Sequence, residues 1–292
     1  MIARRTALRL PPGAFRVVIV HRTMTTFEKT TDITRVEDGV FEANIDDRWW
    51  VVRGPHGGYL AAIILNALLA TQPDVDRRVR SFTTHYLVAP EAGPLQIQTA
   101  VERTGKSMSY LSARALQGDR TVALSLAAFS VPWPGLSFDD NPMPEVVPAE
   151  EGFPVPTEGK SIPPFVGNFD MRWVLGDPPF SGADEALVGG WLRLREPVLA
   201  DEPVVACLLD AWAPAVFPKA KIPVVAPTID LTMHFRSALP LAGAEPDDFY
   251  LGRFRSRLAR DGFFEEDGEI WSKDGELIAQ SRQLALALTP TV

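Results

Sequence analysis

One carboxylate interrupts a long apolar stretch in the second half of the chain. Asp210 follows VVACLL and precedes AWAPAV. Burial of an ionised carboxylate is costly unless the group is hydrogen-bonded, and the same desolvation raises its pKa and makes it a better proton acceptor. The sequence therefore predicts that Asp210 is either a structural carboxylate bonded to a neighbouring strand or a general base.

A glycine-led apolar segment, GPHGGYLAAIILNALLA, occupies residues 54–70. Gly57 and Gly58 stand where a helix would begin, so their N–H groups favour negative charge and their missing Cβ atoms allow a close approach. The alternative is a tight strand-to-helix turn. For His56 we favour a helix-capping or substrate-contacting role over that of a general base. Asn66 is either the remnant of a second acidic site or a buried amide bonded to the backbone.

Two strand segments carry further polar candidates. In TIDLTMHF, strict alternation places four polar residues on one face: Thr228, Asp230, Thr232 and His234. The same-face neighbours of Gln283 are all small: Ala279, Ser281 and Ala285. A glutamine among small residues leaves room for a substrate or a water. Thr228 and Gln283 have the donors and acceptors that would orient a water against a carboxylate.

The strand segment GRFRSRLAR places three arginines on one face: Arg253, Arg255 and Arg257. This ridge suits an anionic group such as a phosphate, and the alternative is an ordinary solvated strand face. The only cysteine, Cys207, and the spacing of the histidines form no metal-ligand motif. We expect Cys207 to be a small buried residue and expect no metal site.

The order of elements occurs twice. The first part predicts a strand, the glycine-led helix and four strands, at 40–45, 54–70, 81–88, 95–104, 107–116 and 121–131. The second part predicts two strands, an apolar helix over 201–217 with Asp201 as N-cap, and four strands, at 169–174, 189–195, 228–239, 248–260, 263–272 and 276–288. Nine prolines between Val131 and Phe165 identify residues 132–165 as a linker.

Short matches between the two parts indicate an internal duplication. ILNAL (64–68) lies over LLDAW (208–212), and THYLVAP (84–90) over MHFRSALP (233–240), which aligns Asn66 with Asp210 and His85 with His234. We therefore expect two domains, at 30–131 and 166–292. Each predicted helix is apolar nearly all round, and a curved antiparallel sheet wrapped around it would enclose such a helix.

Composition excludes several classes of protein. The chain has 292 residues, a net charge of −8 and a pI near 5.1, which argues against nucleic-acid binding. One cysteine suits a reducing compartment, and no segment has the roughly 18 uninterrupted apolar residues of a membrane span. We therefore expect a cytoplasmic protein. The first 23 residues contain five arginines and no acid, and we assign residues 1–29 to a poorly ordered extension.

Four segments in this order resemble acyl-CoA thioesterases with two fused hot-dog domains: PHGGYLAA, ACLLDAW, PTIDLTMHF and GELIAQSRQLALAL. The resemblance implies an α+β fold in which each half wraps a curved antiparallel sheet around a long central helix. It also implies hydrolysis of acyl-CoA to a fatty acid and coenzyme A by a water held by Asp210, Thr228 and Gln283. Gly57 and Gly58 would then receive the thioester oxygen, and the arginine ridge would meet the phosphates of coenzyme A.

The same resemblance implies no cofactor beyond the coenzyme A of the substrate, and a homo-oligomer. The sequence departs from the best-known bacterial members at HGGYLAA and around Gln283, which bears on chain-length preference. Two alternatives stay open. A hot-dog hydratase or dehydratase would need an Asp close to its His, but Asp46 and Asp47 lie nine or more positions before His56. A binding protein without turnover would keep the acyl-thioester site but release no thiol.

Overall fold

A computed structural model describes residues 23–160 and 162–289, which form three α-helices and fourteen β-strands. The first half contains α1 (Thr26–Thr30), β1 (Thr34–Glu37), β2 (Val40–Ile45), α2 (Gly57–Thr71), β3 (Arg78–Tyr86), β4 (Gly93–Thr104), β5 (Met108–Gln117) and β6 (Arg120–Ser130). The second half contains β7 (Phe153–Pro154), β8 (Phe169–Gly176), β9 (Ala186–Leu194), α3 (Glu202–Leu208), β10 (Thr228–Phe235), β11 (Tyr250–Ser256), β12 (Ala259–Arg260), β13 (Phe263–Trp271) and β14 (Leu277–Leu286).

The strands form one continuous antiparallel sheet in the order β1-β2-β4-β5-β6-β3-β10-β14-β13-β11-β9-β8-β7, with β12 pairing β13. The sheets predicted for the two halves are joined into one, because β3 and β10 pair with each other. Within the sheet, one strand order occurs twice, as β1-β2-β4-β5-β6-β3 and as β8-β9-β11-β13-β14-β10. This recurrence agrees with the internal repeat predicted from the sequence.

The junction between β3 and β10 is nearly symmetric. Thr83 lies opposite Thr232, and their hydroxyl oxygens are 3.0 Å apart. On either side of this pair, His85 lies opposite Asp230 and His234 lies opposite Ser81. The two histidines therefore occupy equivalent places in the two halves, as their alignment in the sequence predicts.

Helix α2 confirms the helix predicted from the glycine-led segment. His56 is its N-cap, and nearly every residue from Gly58 to Leu68 is buried. Tyr59 stacks on Trp49, with ring centroids 4.9 Å apart and planes 3° from parallel. A helix that is apolar on every side needs such enclosure, since burial of its side chains supplies most of its stability.

Helix α3 is much shorter than predicted. Asp201 caps it as expected and accepts a hydrogen bond from the Val204 N–H at 3.0 Å, but the helix ends at Leu208. The Leu209 N–H still bonds four residues back to the Val205 carbonyl oxygen, but the N–H groups of Asp210 and Ala211 bond three residues back. Pro214 lacks an N–H and disfavours helical geometry in the residue before it, which opposes the predicted helix that would run on to residue 217. The long central helix expected in the second half is therefore wrong.

The predicted extension and linker both contribute to the fold. Helix α1 begins before residue 30 and buries Phe27, which is 5% exposed, so the expected extension over 1–29 is too long. Residues 1–22 lie outside the described part of the chain. Within the predicted linker, β7 pairs with β8 and forms one edge of the sheet. No helix of the described residues is long and apolar enough to cross a membrane.

The burial of Phe27 predicts that α1 stabilises the folded protein. Replacement Phe27→Ala should lower the free energy of unfolding by about 3–5 kcal/mol because it leaves a cavity in the core. The matched control is Val75→Ala, since Val75 is 95% exposed. Urea titration measures both variants, and equal stabilities would show that α1 does not belong to the core.

Candidate active site

Asp210 lies in the turn that follows α3, against the first residues of α2. Its Oδ2 accepts a hydrogen bond from the Gly58 N–H at 2.7 Å, and its side chain is 13% exposed. The first N–H groups of a helix have no partner within the helix and favour a negative charge. Burial raises the pKa of Asp210, while His56 and the Gly58 N–H act in the opposite direction.

His56 holds the turn that carries Asp210. Its Nδ1 accepts from the Tyr59 N–H at 3.1 Å, and its Nε2 lies 2.7 Å from the carbonyl oxygen of Asp210 and 3.4 Å from Oδ2. The ring stacks on Phe165 at 4.7 Å and the residue is 2% exposed. Because Nδ1 accepts a hydrogen bond, Nε2 carries the ring proton and donates a hydrogen bond to the Asp210 carbonyl oxygen. The capping role predicted for His56 is confirmed, and no free ring nitrogen is left to act as a base.

The two glycines allow Asp210 to approach the helix. A Cβ atom at Gly57 would lie 2.8 Å from Asp210 Oδ2, and one at Gly58 would lie 2.9 Å from Asp210 Cβ, from the Cys207 carbonyl oxygen and from His56 Cε1. The Gly58 N–H is thus bonded to a carboxylate. The expectation that it is a free donor for a thioester oxygen is therefore wrong. Among the described residues, the Gly57 N–H has no hydrogen-bond acceptor.

Thr228 and Gln283 are in direct contact. The Thr228 hydroxyl donates to Gln283 Oε1 at 2.9 Å. The predicted face of Thr228 is wrong, because a bulge between Thr228 and Asp230 shifts the pairing with β14 and places Thr228 opposite Ala285, on the side of Gln283. The small neighbours predicted for Gln283 are confirmed, since Ala279, Ser281 and Ala285 are all buried with it.

Glu266 is a site residue that the sequence analysis missed. Its Oε1 accepts from Gln283 Nε2 at 2.6 Å, its Oε2 accepts from the Ala215 N–H, and the residue is 4% exposed. Burial raises its pKa to about 7, with the negative charge of Asp210 acting in the same direction. A signal was present in FFEEDGEIW, where alternation places Glu266 on the buried face with Phe264.

The site therefore consists of two hydrogen-bonded groups. Asp210 joins His56 and the start of α2, while Thr228 joins Gln283 and Glu266. Within the described residues no hydrogen bond runs directly from Asp210 to Thr228 or to Gln283. The backbone connects the two groups, because the Ala215 N–H in the segment after Asp210 bonds Glu266. Electrostatic repulsion between the carboxylates of Asp210 and Glu266 also couples them.

The arginine ridge lies away from these groups. Arg253 binds Glu269, with Nε to Oε2 at 2.9 Å, and Arg257 binds Asp267 at 2.8 Å, while Arg255 is exposed. Glu269 and Asp267 pair across the sheet with residues on the outer face of β14, opposite the face of the site glutamine. Arg253 and Arg257 are therefore already paired with carboxylates, and a contact between the ridge and the phosphates of coenzyme A stays a prediction.

The position aligned with Asp210 carries no comparable site. Asn66 Nδ2 donates to the Thr31 carbonyl oxygen at 3.0 Å, which confirms a backbone-bonded amide. A cleft of about 340 Å³ lies beside it, bounded by Phe27, Asp201 and Val204. Among residues 23–160 and 162–289, no group of three or more His, Cys, Asp or Glu is arranged to hold a metal ion. Cys207 is buried and free of disulfides, as predicted.

Comparison with known families matches both halves of the chain. The family model of the acyl-CoA thioesterase N-terminal domain matches residues 46–130, and that of the C-terminal domain matches residues 139–287. The chain belongs to the acyl-CoA thioesterase family. The resemblance read from the four sequence segments is thereby confirmed.

Individual proteins of known sequence or structure align along most of the chain. Acyl-CoA thioesterase 2 of Haemophilus influenzae is 24% identical over 277 residues, covering 87% of this chain and 94% of that protein. An uncharacterised protein of Mycobacterium tuberculosis is 25% identical over 281 residues, covering 85% and 90%. A hot-dog-fold structure from Alicyclobacillus acidocaldarius has a TM-score of 0.81 at 24% identity, covering 92% of this chain and all of that one. This likeness identifies the hot-dog fold.

The close contact at Gly58 predicts that any added Cβ atom at this position destabilises the fold, even when the backbone N–H is kept. Replacement Gly58→Ala keeps the N–H but places a Cβ against three groups, so we expect a loss of about 1–3 kcal/mol in the free energy of unfolding. Gly135→Ala is the control, since a Cβ there meets nothing within 4 Å. Denaturant unfolding compares the two, and a Gly58→Ala protein as stable as the control would contradict the tight packing of Asp210.

Proposed function

We propose that this protein hydrolyses acyl-CoA thioesters to a fatty acid and free coenzyme A through a water activated by Asp210, with Thr228 and Gln283 orienting that water. Membership of the acyl-CoA thioesterase family supports the reaction class. The observation that carries the assignment of the base is the nearly buried carboxylate held at the N-terminus of α2.

The two oxygens of Asp210 have different environments. Oδ2 is anchored by the Gly58 N–H, whereas Oδ1 has no hydrogen-bond partner among the described residues. An anchored carboxylate with one free oxygen can accept a proton from water without changing its position. Its raised pKa improves it as a base, because a proton acceptor works best when its pKa approaches the working pH.

The proposed reaction balances without a cofactor. Water attacks the thioester carbonyl carbon, gives its proton to Asp210 and forms a tetrahedral oxyanion. The Gly57 N–H at the helix N-terminus is the donor for that oxyanion. The C–S bond then breaks, and the thiol, with a pKa near about 8.5, leaves as thiolate and takes a proton from Asp210 or from water.

We also propose two fused hot-dog domains, divided by the segment between β6 and β8. The recurring strand order and the separate N-terminal and C-terminal family matches support this division. The helices α2 and α3 would then be the equivalent central helices, with the single acid at the end of the shorter one. A binding protein without turnover differs from this proposal in releasing no thiol, so the same assay separates the two.

The proposal predicts thiol release that depends on Asp210. With acyl-CoA esters from acetyl to palmitoyl and a colorimetric disulfide reagent, Asp210→Asn should lower kcat by at least about 100-fold, the usual contribution of a general base. Asp230→Asn is the matched control, because Asp230 lies on the other face of β10. Full activity in Asp210→Asn would contradict the assigned base, and no release by the wild type with acyl-CoA still bound would indicate the binding protein.

A further inference from the structure

Glu266 is a buried carboxylate for which the proposed reaction has no use as a base. Both of its oxygens already accept hydrogen bonds, Oε1 from Gln283 and Oε2 from the Ala215 N–H. With 4% of the residue exposed, it has little access to a water. Its position between two parts of the site suits a different task.

The first task is to set the orientation of the Gln283 amide. A side-chain amide can turn by about 180° and exchange its oxygen and nitrogen. An ionised carboxylate only accepts, so Nε2 must face Glu266 and Oε1 must face Thr228, whose hydroxyl donates to it. The Thr228 proton is thereby committed to the amide, and its oxygen is left to accept a hydrogen bond from the water.

The second task is to hold the segment that carries the base. Ala215 follows Asp210 in the irregular stretch after α3, and its N–H is bound to Glu266. One carboxylate thus ties the segment of Asp210 to the strand that carries Gln283. The negative charges that act on Glu266 are those of Asp210 and of the adjacent Glu265, and both oppose its ionisation. Burial of a carboxylate near other negative charges lowers the stability of the fold, so packing alone would be better served by a neutral residue at position 266.

We propose that Glu266 is a positioning residue for the hydrolysis, which fixes the amide of Gln283 and the Asp210 segment so that the water is held between them. This inference rests on the proposed function. It assigns to Glu266 no contact with the substrate or with the reacting atoms. Glu266 acts on the reaction through Gln283 and through the Asp210 segment.

Replacement Glu266→Gln tests this role. A glutamine at 266 cannot accept from both donors, so the Gln283 amide loses its fixed orientation. We expect kcat to fall at least about 10-fold with KM within about 3-fold of the wild type, the pattern of an interaction lost in the transition state. In a Gln283→Ala background the same replacement should lower kcat by a smaller factor than in the wild type, because the part of its effect that passes through Gln283 is already lost. Glu269→Gln, on the outer face of β13, is the control.

The pH profile gives a second readout that needs no variant. Glu266 has a pKa of about 7, so its ionised form is lost as the pH falls through neutrality. The wild-type kcat should therefore fall on the acidic side with an apparent pKa near about 7. In Glu266→Gln this limb should move to lower pH. The loss of the negative charge at position 266 also favours ionisation of Asp210, which shifts the acidic fall of kcat in the same direction.

Each outcome separates the two proposals. If the wild type releases thiol and Glu266→Gln matches it in kcat and in pH profile, the positioning role is overturned while the hydrolase proposal stands. Additive losses in the double variant would also overturn it. If Glu266→Gln does not fold, a wild-type kcat that is constant from about pH 5.5 to 8.5 overturns the role. If the wild type releases no thiol from any ester, the proposed function itself fails.

Discussion

The site depends on one hydrogen bond, from the Gly58 N–H to Asp210 at 2.7 Å. A carboxylate in apolar surroundings needs donors, and the first turn of a helix offers them together with a favourable dipole. The contact requires that both residues at the helix start lack a Cβ atom. It also requires that α3 end at Leu208, so that the chain can turn Asp210 toward α2.

The two halves share one strand order, yet only one of the two aligned positions, Asn66 and Asp210, holds an acid. Asp210 lies where α3 ends and meets the start of α2. Asn66 lies inside α2 and bonds the backbone of Thr31. The strand order recurs in both halves, but a carboxylate held at the start of a helix is found at only one of the two aligned positions in the described residues. Function in such a fold lies in the site more than in the architecture.

Several parts of the fold and site could be predicted from the sequence because local pattern determines them. The strands and α2 follow from hydrophobic periodicity, and the pairing of Thr228 with Gln283 was implied by the family resemblance. Other parts depend on contacts between distant residues. Alternation gave the wrong face for Thr228 because a bulge is not visible in a polar pattern. The carboxylate of Glu269 becomes a neighbour of Arg253 only through the strand register.

In the proposed reaction Asp210 acts on water and does not itself attack the thioester. A single turnover in ¹⁸O-labelled water, followed by mass spectrometry of the fatty acid and of the peptide that contains Asp210, distinguishes these two roles. If Asp210 is a general base, the fatty acid of the first turnover carries the label and the peptide carries none. An unlabelled fatty acid with ¹⁸O in the Asp210 peptide would indicate a covalent acyl-aspartyl intermediate and contradict the mechanism.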